Sequence, residues 1–174
     1  MSTISGLART FSSLIRQLGS NVSADDVWFA HRGARTLAAR LPVHEQTGLA
    51  LARWLADRPE VAQVLHPALP DHPDHALWKR DFSGSSGLFG VILQPCPEAA
   101  LAALHNAFEL FGMGYSWGGY ESLCIPVPVH KYRTAVPWPQ TGPVLRFHAG
   151  LEQAEDLIHD LERAFGAFNQ ALKT

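Results

Sequence analysis

The chain has 174 residues, 47% apolar and 17% charged, which suits one compact globular domain and excludes a disordered or fibrous class. A formal charge of -2, with no basic or acidic run, supplies no field for a nucleic-acid backbone and excludes nucleic acid as a partner. The two cysteines, Cys96 and Cys124, lie far apart and imply neither a disulfide framework nor a thiolate metal site.

The opening M-S-T-I-S-G-L-A-R-T-F lacks the basic segment and apolar run of a secretory signal. No apolar stretch is long enough to span a bilayer, so the expected location is the cytoplasm, without a membrane partner. Leu7, Phe11, Leu14, Ile15 and Leu18 recur at helical spacing, and Gly19 is a natural stop. Ser23, three residues before Asp26, resembles a capping box for a helix running through Trp28 and Phe29 to Leu41, with Pro42 as a break. His44 to Ala56 is expected to form the next helix.

Beyond Pro59 the texture changes. Val61 to Leu65 reads as a strand, and the proline-rich stretch from His66 to His75 as loop. Gly84-Ser85-Ser86-Gly87 turns into a strand starting at Leu88. Pro97 is placed to open a helix from Glu98 to Phe111 with Leu101, Leu104, Phe108 and Phe111 on one stripe. A loop and a strand follow, then a proline-rich segment from Ile125 to Pro143. Val144 to Ala149 is a strand. The last helix, Ala154 to Ala171, carries Leu157, Ile158, Leu161, Phe165 and Phe168 on one face. Short strands alternating with amphipathic helices predict an α/β (α+β) two-layer domain after a helical lead-in.

Two places bear on chemistry. In F-G-M-G-Y-S-W-G-G-Y-E-S, from Phe111 to Ser122, a glycine pair lets the backbone turn sharply beside Tyr115, Ser116 and Trp117. The stretch is either one wall of a pocket for a small polar molecule or a hairpin corner with aromatics packed under it. In the strand at Val144, Leu145, Phe147 and Ala149 share one face, and Val144, Arg146 and His148 the other. With the apolar set against the final helix, Arg146 points away from that layer. A guanidinium on a rigid strand suits a carboxylate, although a plain surface arginine is the alternative. His148 reads as structural rather than as a base. His66, His72 and His75 with Asp71 and Asp74 fit no closed zinc pattern, so no metal site is assigned.

R-G-A-R-T-L from Arg32, the seventeen-residue run W-L-A-D-R-P-E-V-A-Q-V-L-H-P-A-L-P from Trp54, and W-K-R-D-F-S-G-S-S-G-L-F from Trp78 carry a resemblance. Y-S-W-G-G-Y-E-S from Tyr115 and L-R-F-H-A-G-L-E from Leu145 continue it in order. Over roughly residues 20 to 168 the chain resembles the C-terminal part of the pyridoxal-phosphate enzymes of cysteine and methionine metabolism. The S-W-G-G form favours the cystathionine β-lyase branch. The resemblance implies the small domain of fold type I, a short, mostly antiparallel sheet packed against helices. It implies residues 1–41 as a helical lead-in, the remnant of a connecting segment, and 42–174 as the small domain.

It further implies that Arg146 binds a substrate α-carboxylate, with Ser116 and Trp117, and less directly Tyr115, shaping the pocket beside the cofactor. The substrate would be a sulfur amino acid such as cystathionine, and the cofactor pyridoxal phosphate. The family's Schiff-base lysine has no counterpart among Lys79, Lys131 and Lys173. The expectation is therefore a truncated lyase-like protein, inactive alone, completed by a large-domain chain or assembled as a homo-oligomer. The alternative is a non-catalytic binding or oligomerisation module of the same fold.

Overall fold

The structure is a computed structural model describing residues 2–139 and 142–173. Gln140 and Thr141, within the proline-rich segment, lie outside the described residues, as does Thr174 at the end of the expected small domain. The chain divides into two compact units, Met1–Ala38 and Ala39–Thr174.

The first unit holds α1 (Ser2–Gln17) and α2 (Ala24–Arg35). Gly19, at a φ of 66°, ends α1 in the left-handed conformation that glycine adopts without a Cβ clash. The amide of Ser20 closes that end on the Ile15 carbonyl at 3.1 Å. Ser23 caps α2: its Oγ accepts the Asp26 amide at 3.0 Å and donates to the Asp26 carboxylate at 2.7 Å. The break expected at Pro42 occurs earlier. Thr36 leaves helical geometry and donates its amide to Gly33 and Ala34, while α3 (Leu37–Ala56) carries Pro42 within it. Proline removes one donor near the start of that helix, and the rest of the long helix, packed through Leu51 and Leu55, outweighs the loss.

In the second unit, β1 (Val61–Leu65), β2 (Leu88–Leu93), β3 (Leu123–Pro126) and β4 (Val144–His148) form one sheet in the order β1-β2-β4-β3. Every pairing is antiparallel. Helices α4 (His75–Asp81), α5 (Glu98–Asn106), α6 (Val129–Tyr132) and α7 (Ala154–Ala171) complete the unit. This is the two-layer α/β architecture expected. The core draws Leu51 and Leu55 from α3, Leu104 from α5, and Leu157, Leu161, Phe165 and Phe168 from α7. These pack with Phe89, Val91 and Leu93 of β2 and Leu145 and Phe147 of β4.

Phe89 pairs with Phe147 across the strands, and their rings stack 5.5 Å apart. The period of two then places Gly90 opposite Arg146, and Leu88 opposite His148, on the other face of the sheet. Among the described residues, no helix is long and apolar enough to cross a membrane.

The helix predicted to reach Phe111 stops at Asn106. Asp160, buried on α7, accepts the amides of Glu109, Leu110 and Phe111 at 2.9, 2.8 and 3.1 Å. Those three donors are drawn out of helical bonding, so Phe108 and Phe111 reach the core from a loop. Arg163 pairs with the same carboxylate and donates to the Ala107 carbonyl at 3.1 Å. Pro97 sits at the N-cap, one residue before the helix it was expected to open. Asp160→Ala leaves the three amides without their acceptor, while Arg163 keeps the Ala107 carbonyl and Glu109; we expect a loss of about 3 kcal/mol, read as a lower urea midpoint with an unchanged slope. A loss under about 1 kcal/mol would show that water replaces the carboxylate.

Candidate functional site

The segment from Gly112 to Ser122 leaves the body of the fold and returns to it, and its contacts gather on β4 and the loop after it. At its base, the Gly112 amide donates to the Ser122 carbonyl at 3.0 Å, and Cys124 donates to the Gly112 carbonyl at 3.0 Å. Ser122 is fully buried. Its amide and hydroxyl both donate to the Glu152 carboxylate, at 2.9 and 2.8 Å, while its Oγ accepts the Gly150 amide at 2.8 Å. Leu151 donates to the Tyr120 carbonyl at 2.8 Å. A Cβ at Gly150 would collide with that carbonyl and with Glu152, so the close approach requires glycine.

Two side chains on the face of β4 opposite Leu145 and Phe147 hold the rest. Arg146 Nη2 donates to the carbonyl of Gly114 at 2.9 Å and to that of Tyr115 at 2.8 Å. His148 Nε2 lies 3.2 Å from both the Gly118 amide and the Gly119 carbonyl. Gly118 has a φ of 94°, which only glycine adopts easily. Arg146 therefore stands against the turn that carries Tyr115, Ser116 and Trp117. The turn's side chains do not close over it: Tyr115 is 79% and Trp117 54% exposed, and Ser116 is exposed too. The sequence left open a pocket wall or a packed hairpin corner; the aromatics pack under nothing, and the backbone rather than the rings meets the arginine.

A cavity of about 150 Å³ lies between Met113, Gly114, Tyr115, Ile125 and Pro126, beside the carbonyls that Arg146 engages. Two larger hollows lie elsewhere, about 610 Å³ along α1 and about 710 Å³ around Cys96 and Trp138, the second sharing only Pro126 with this cavity among the described residues. From the sequence neither Ser122 nor Glu152 is assigned to the site, since Glu152 could be weighed only as a possible carboxylate partner of Glu121 that nothing in the sequence placed beside it. The spacing Ser122 to Glu152 follows no short motif, and only the fold brings the two together.

Burial pushes the His148 imidazole below its ordinary value of 6.5; His44 and Arg146 push the same way, while the Gly119 carbonyl and Glu152 oppose. His44, its ring centroid 5.4 Å away, donates from Nδ1 to the Ala149 carbonyl at 2.8 Å. His66, also buried, is lowered chiefly by burial as well. Burial pushes the Cys124 thiol well above its usual range and that of Cys96 upward, which suits neither to nucleophilic work. Among the described residues no group of three or more histidines, cysteines and carboxylates gathers to hold a metal.

Two predictions follow from this geometry. Ser122→Ala removes the hydroxyl shared by the Gly150 amide and the Glu152 carboxylate, leaving Glu152 only the backbone amide of residue 122, with an expected loss of about 2 kcal/mol in thermal or urea unfolding. As pH falls through 6.5, the unfolded chain takes up protons at His66 and His148 before the folded chain does. Their contribution is complete above 6.5 and lost below it, so the urea midpoint should be lower at about pH 5.5 than at about pH 7.5. Equal midpoints would contradict this.

The profile of the Cys/Met metabolism PLP-dependent enzymes matches residues 2–166. Cystathionine beta-lyase from Salmonella typhimurium is 48% identical over 152 residues, spanning 85% of this chain and 38% of that protein. Cystathionine beta-lyase from Haemophilus influenzae is 41% identical over 165 residues, spanning 91% and 42%. Among solved structures, cystathionine gamma synthase from Xanthomonas oryzae pv. oryzae, in complex with cystathionine, superposes with a TM-score of 0.79 at 34% identity. That superposition covers 90% of this chain and 41% of the other. The chain thus spans about two fifths of the length of these relatives.

The family uses pyridoxal phosphate, but the corner's residues do not fit it as a complete pocket. The lysines stand on α4, on α6 and past the end of α7, outside the corner, and Glu152 is committed to Ser122. With the fold, the ordered motifs and the profile in agreement, this chain belongs to the Cys/Met metabolism PLP-dependent enzyme family.

Proposed function

We propose that this chain supplies the substrate-carboxylate half of a pyridoxal-phosphate-dependent carbon–sulfur lyase of the cystathionine β-lyase kind. In this reading residues 1–41 are the connecting segment and 42–174 the small domain, and the cofactor is held by residues outside the corner. The overall reaction would be α,β-elimination from cystathionine, with water giving homocysteine, pyruvate and ammonia. The observation that carries the reading is Arg146: a guanidinium on a rigid strand, on the face away from the core, set against the backbone of the Tyr115–Ser116–Trp117 turn.

The geometry adds a detail. Nη2 gives both its hydrogens to the two carbonyls, whereas either bidentate approach of a carboxylate uses one hydrogen of Nη2. A substrate carboxylate would gain its second bond by displacing one of those carbonyls, and the Tyr115 bond is the more exposed of the two. Capture of the acid group would thus shift the turn that bears Ser116 and Trp117, which stand in this reading as walls beside the cofactor. The cavity by Met113 leaves the turn room to move.

A second reading is favoured by the exposed apolar side chains. Trp28 is 56%, Phe29 62% and Trp117 54% exposed, more than a self-sufficient catalytic domain needs to leave in water. These surfaces suit self-association or a cofactor-bearing partner chain, and the chain could serve as a binding or oligomerisation module. Sedimentation at high concentration distinguishes the two: strict monomer argues against the module.

The direct test places this chain in the matching part of the Salmonella enzyme. The chimera should release pyruvate from cystathionine and show the visible aldimine band. Arg146→Ala within it should raise KM on the order of a hundredfold with the band retained, and Arg146→Lys should recover little, since a point charge cannot make two parallel bonds. An Arg146→Ala chimera with unaltered KM would end the proposal.

A further inference from the structure

The turn from Ser116 to Gly119 makes few bonds to the body of the protein, and at its far end the side chain gripping it, among the described residues, is His148. That ring is almost wholly buried, and its Nδ1 is a buried polar atom with no partner among the described residues. All its polar contact with the turn passes through Nε2, which faces two groups of opposite kind at the same distance of 3.2 Å, the Gly118 amide and the Gly119 carbonyl. A single ring nitrogen either accepts or donates, so it serves one of them at a time. Neutral with its proton on Nδ1, Nε2 accepts the Gly118 amide. Protonated, both ring nitrogens are donors; Nε2 can then hold only the Gly119 carbonyl, and the Gly118 amide faces another N–H.

We propose that His148 is the positioning residue of the Ser116–Gly119 turn, and that its protonation transfers the grip from the Gly118 amide to the Gly119 carbonyl. The change matters because Gly118, at a φ of 94°, is the hinge immediately after Trp117. Rotating its amide away reorients the peptide that follows Ser116 and Trp117. The charged and titratable groups facing the ring come from three sides. His44 lies on α3 with its centroid 5.4 Å away, Arg146 on the same strand, and Glu152 on the loop after β4. His44 and Arg146 disfavour a positive ring and Glu152 favours it. Burial weighs with the first pair, so the ring is neutral at neutral pH and its protonation falls on the acid side of 6.5.

The importance of this turn for substrate rests on the lyase reading, but the experiment does not. Amide NMR of the chain, titrated from about pH 7.5 to about pH 5, should show the Gly118 and Gly119 amides and the Trp117 indole moving together with one midpoint below 6.5. In His148→Gln that shared midpoint should vanish while the remaining spectrum stays dispersed. If His148→Gln fails to fold, His44→Gln retains an N–H for the Ala149 carbonyl and removes the second imidazole, so the midpoint should move upward. A Gly118 amide that does not titrate, the same midpoint persisting in His148→Gln, or an unmoved midpoint in His44→Gln would each overturn the proposal. Loss of lyase chemistry in the chimera would leave this titration intact, and loss of the titration would leave the carboxylate role of Arg146 intact, so the two ideas fail separately.

Discussion

The alternation of β4 is the constraint on which the rest depends. Five residues in extended geometry send Leu145 and Phe147 into the hydrophobic layer and Arg146 and His148 to the opposite side. The Phe89–Phe147 stack locks the register, since a slip by one residue would exchange the two sets and place a guanidinium in the core. Burial that stabilises the sheet therefore also aims the polar pair. Fold and candidate site are two faces of one strand.

What those side chains hold is the backbone of a turn. The turn bearing Tyr115, Ser116 and Trp117 is fastened at its base by Ser122 and Glu152 and along its length by Arg146 and His148. Its own side chains remain in water. Such a segment has few buried apolar contacts, the physical mark of a region whose local opening is easy compared with the core. A carboxylate competing for Arg146 and a proton competing for His148 would act on the same turn from its two ends. The chain spans about two fifths of the length of the relatives it matches.

Much of this was legible in the residues. The final helix was readable to its ends because Leu157, Leu161, Phe165 and Phe168 repeat on one face and pack in the core as a stripe. The strand faces of Leu145 to His148 followed from a period of two. The misplaced ends have a shared cause. The helix from Glu98 stops early because Asp160, far along the chain, takes three amides that the local sequence would have given to helical bonds. The chain passes Pro42 in a helix because later packing through Leu51 and Leu55 outweighs one missing donor. The short helix His75–Asp81 was not anticipated, its seven residues being too few for a period to register.

The sequence by itself determined the family, through motifs in fixed order, and the direction of Arg146, through strand alternation, because both depend on neighbours close along the chain. Only the tertiary structure decided what Arg146 and His148 touch, and that Ser122 and Glu152 clasp the turn. Those contacts join residues about thirty positions apart, and a hydrogen bond is set by where the folded backbone brings its donor and acceptor, which no local pattern encodes.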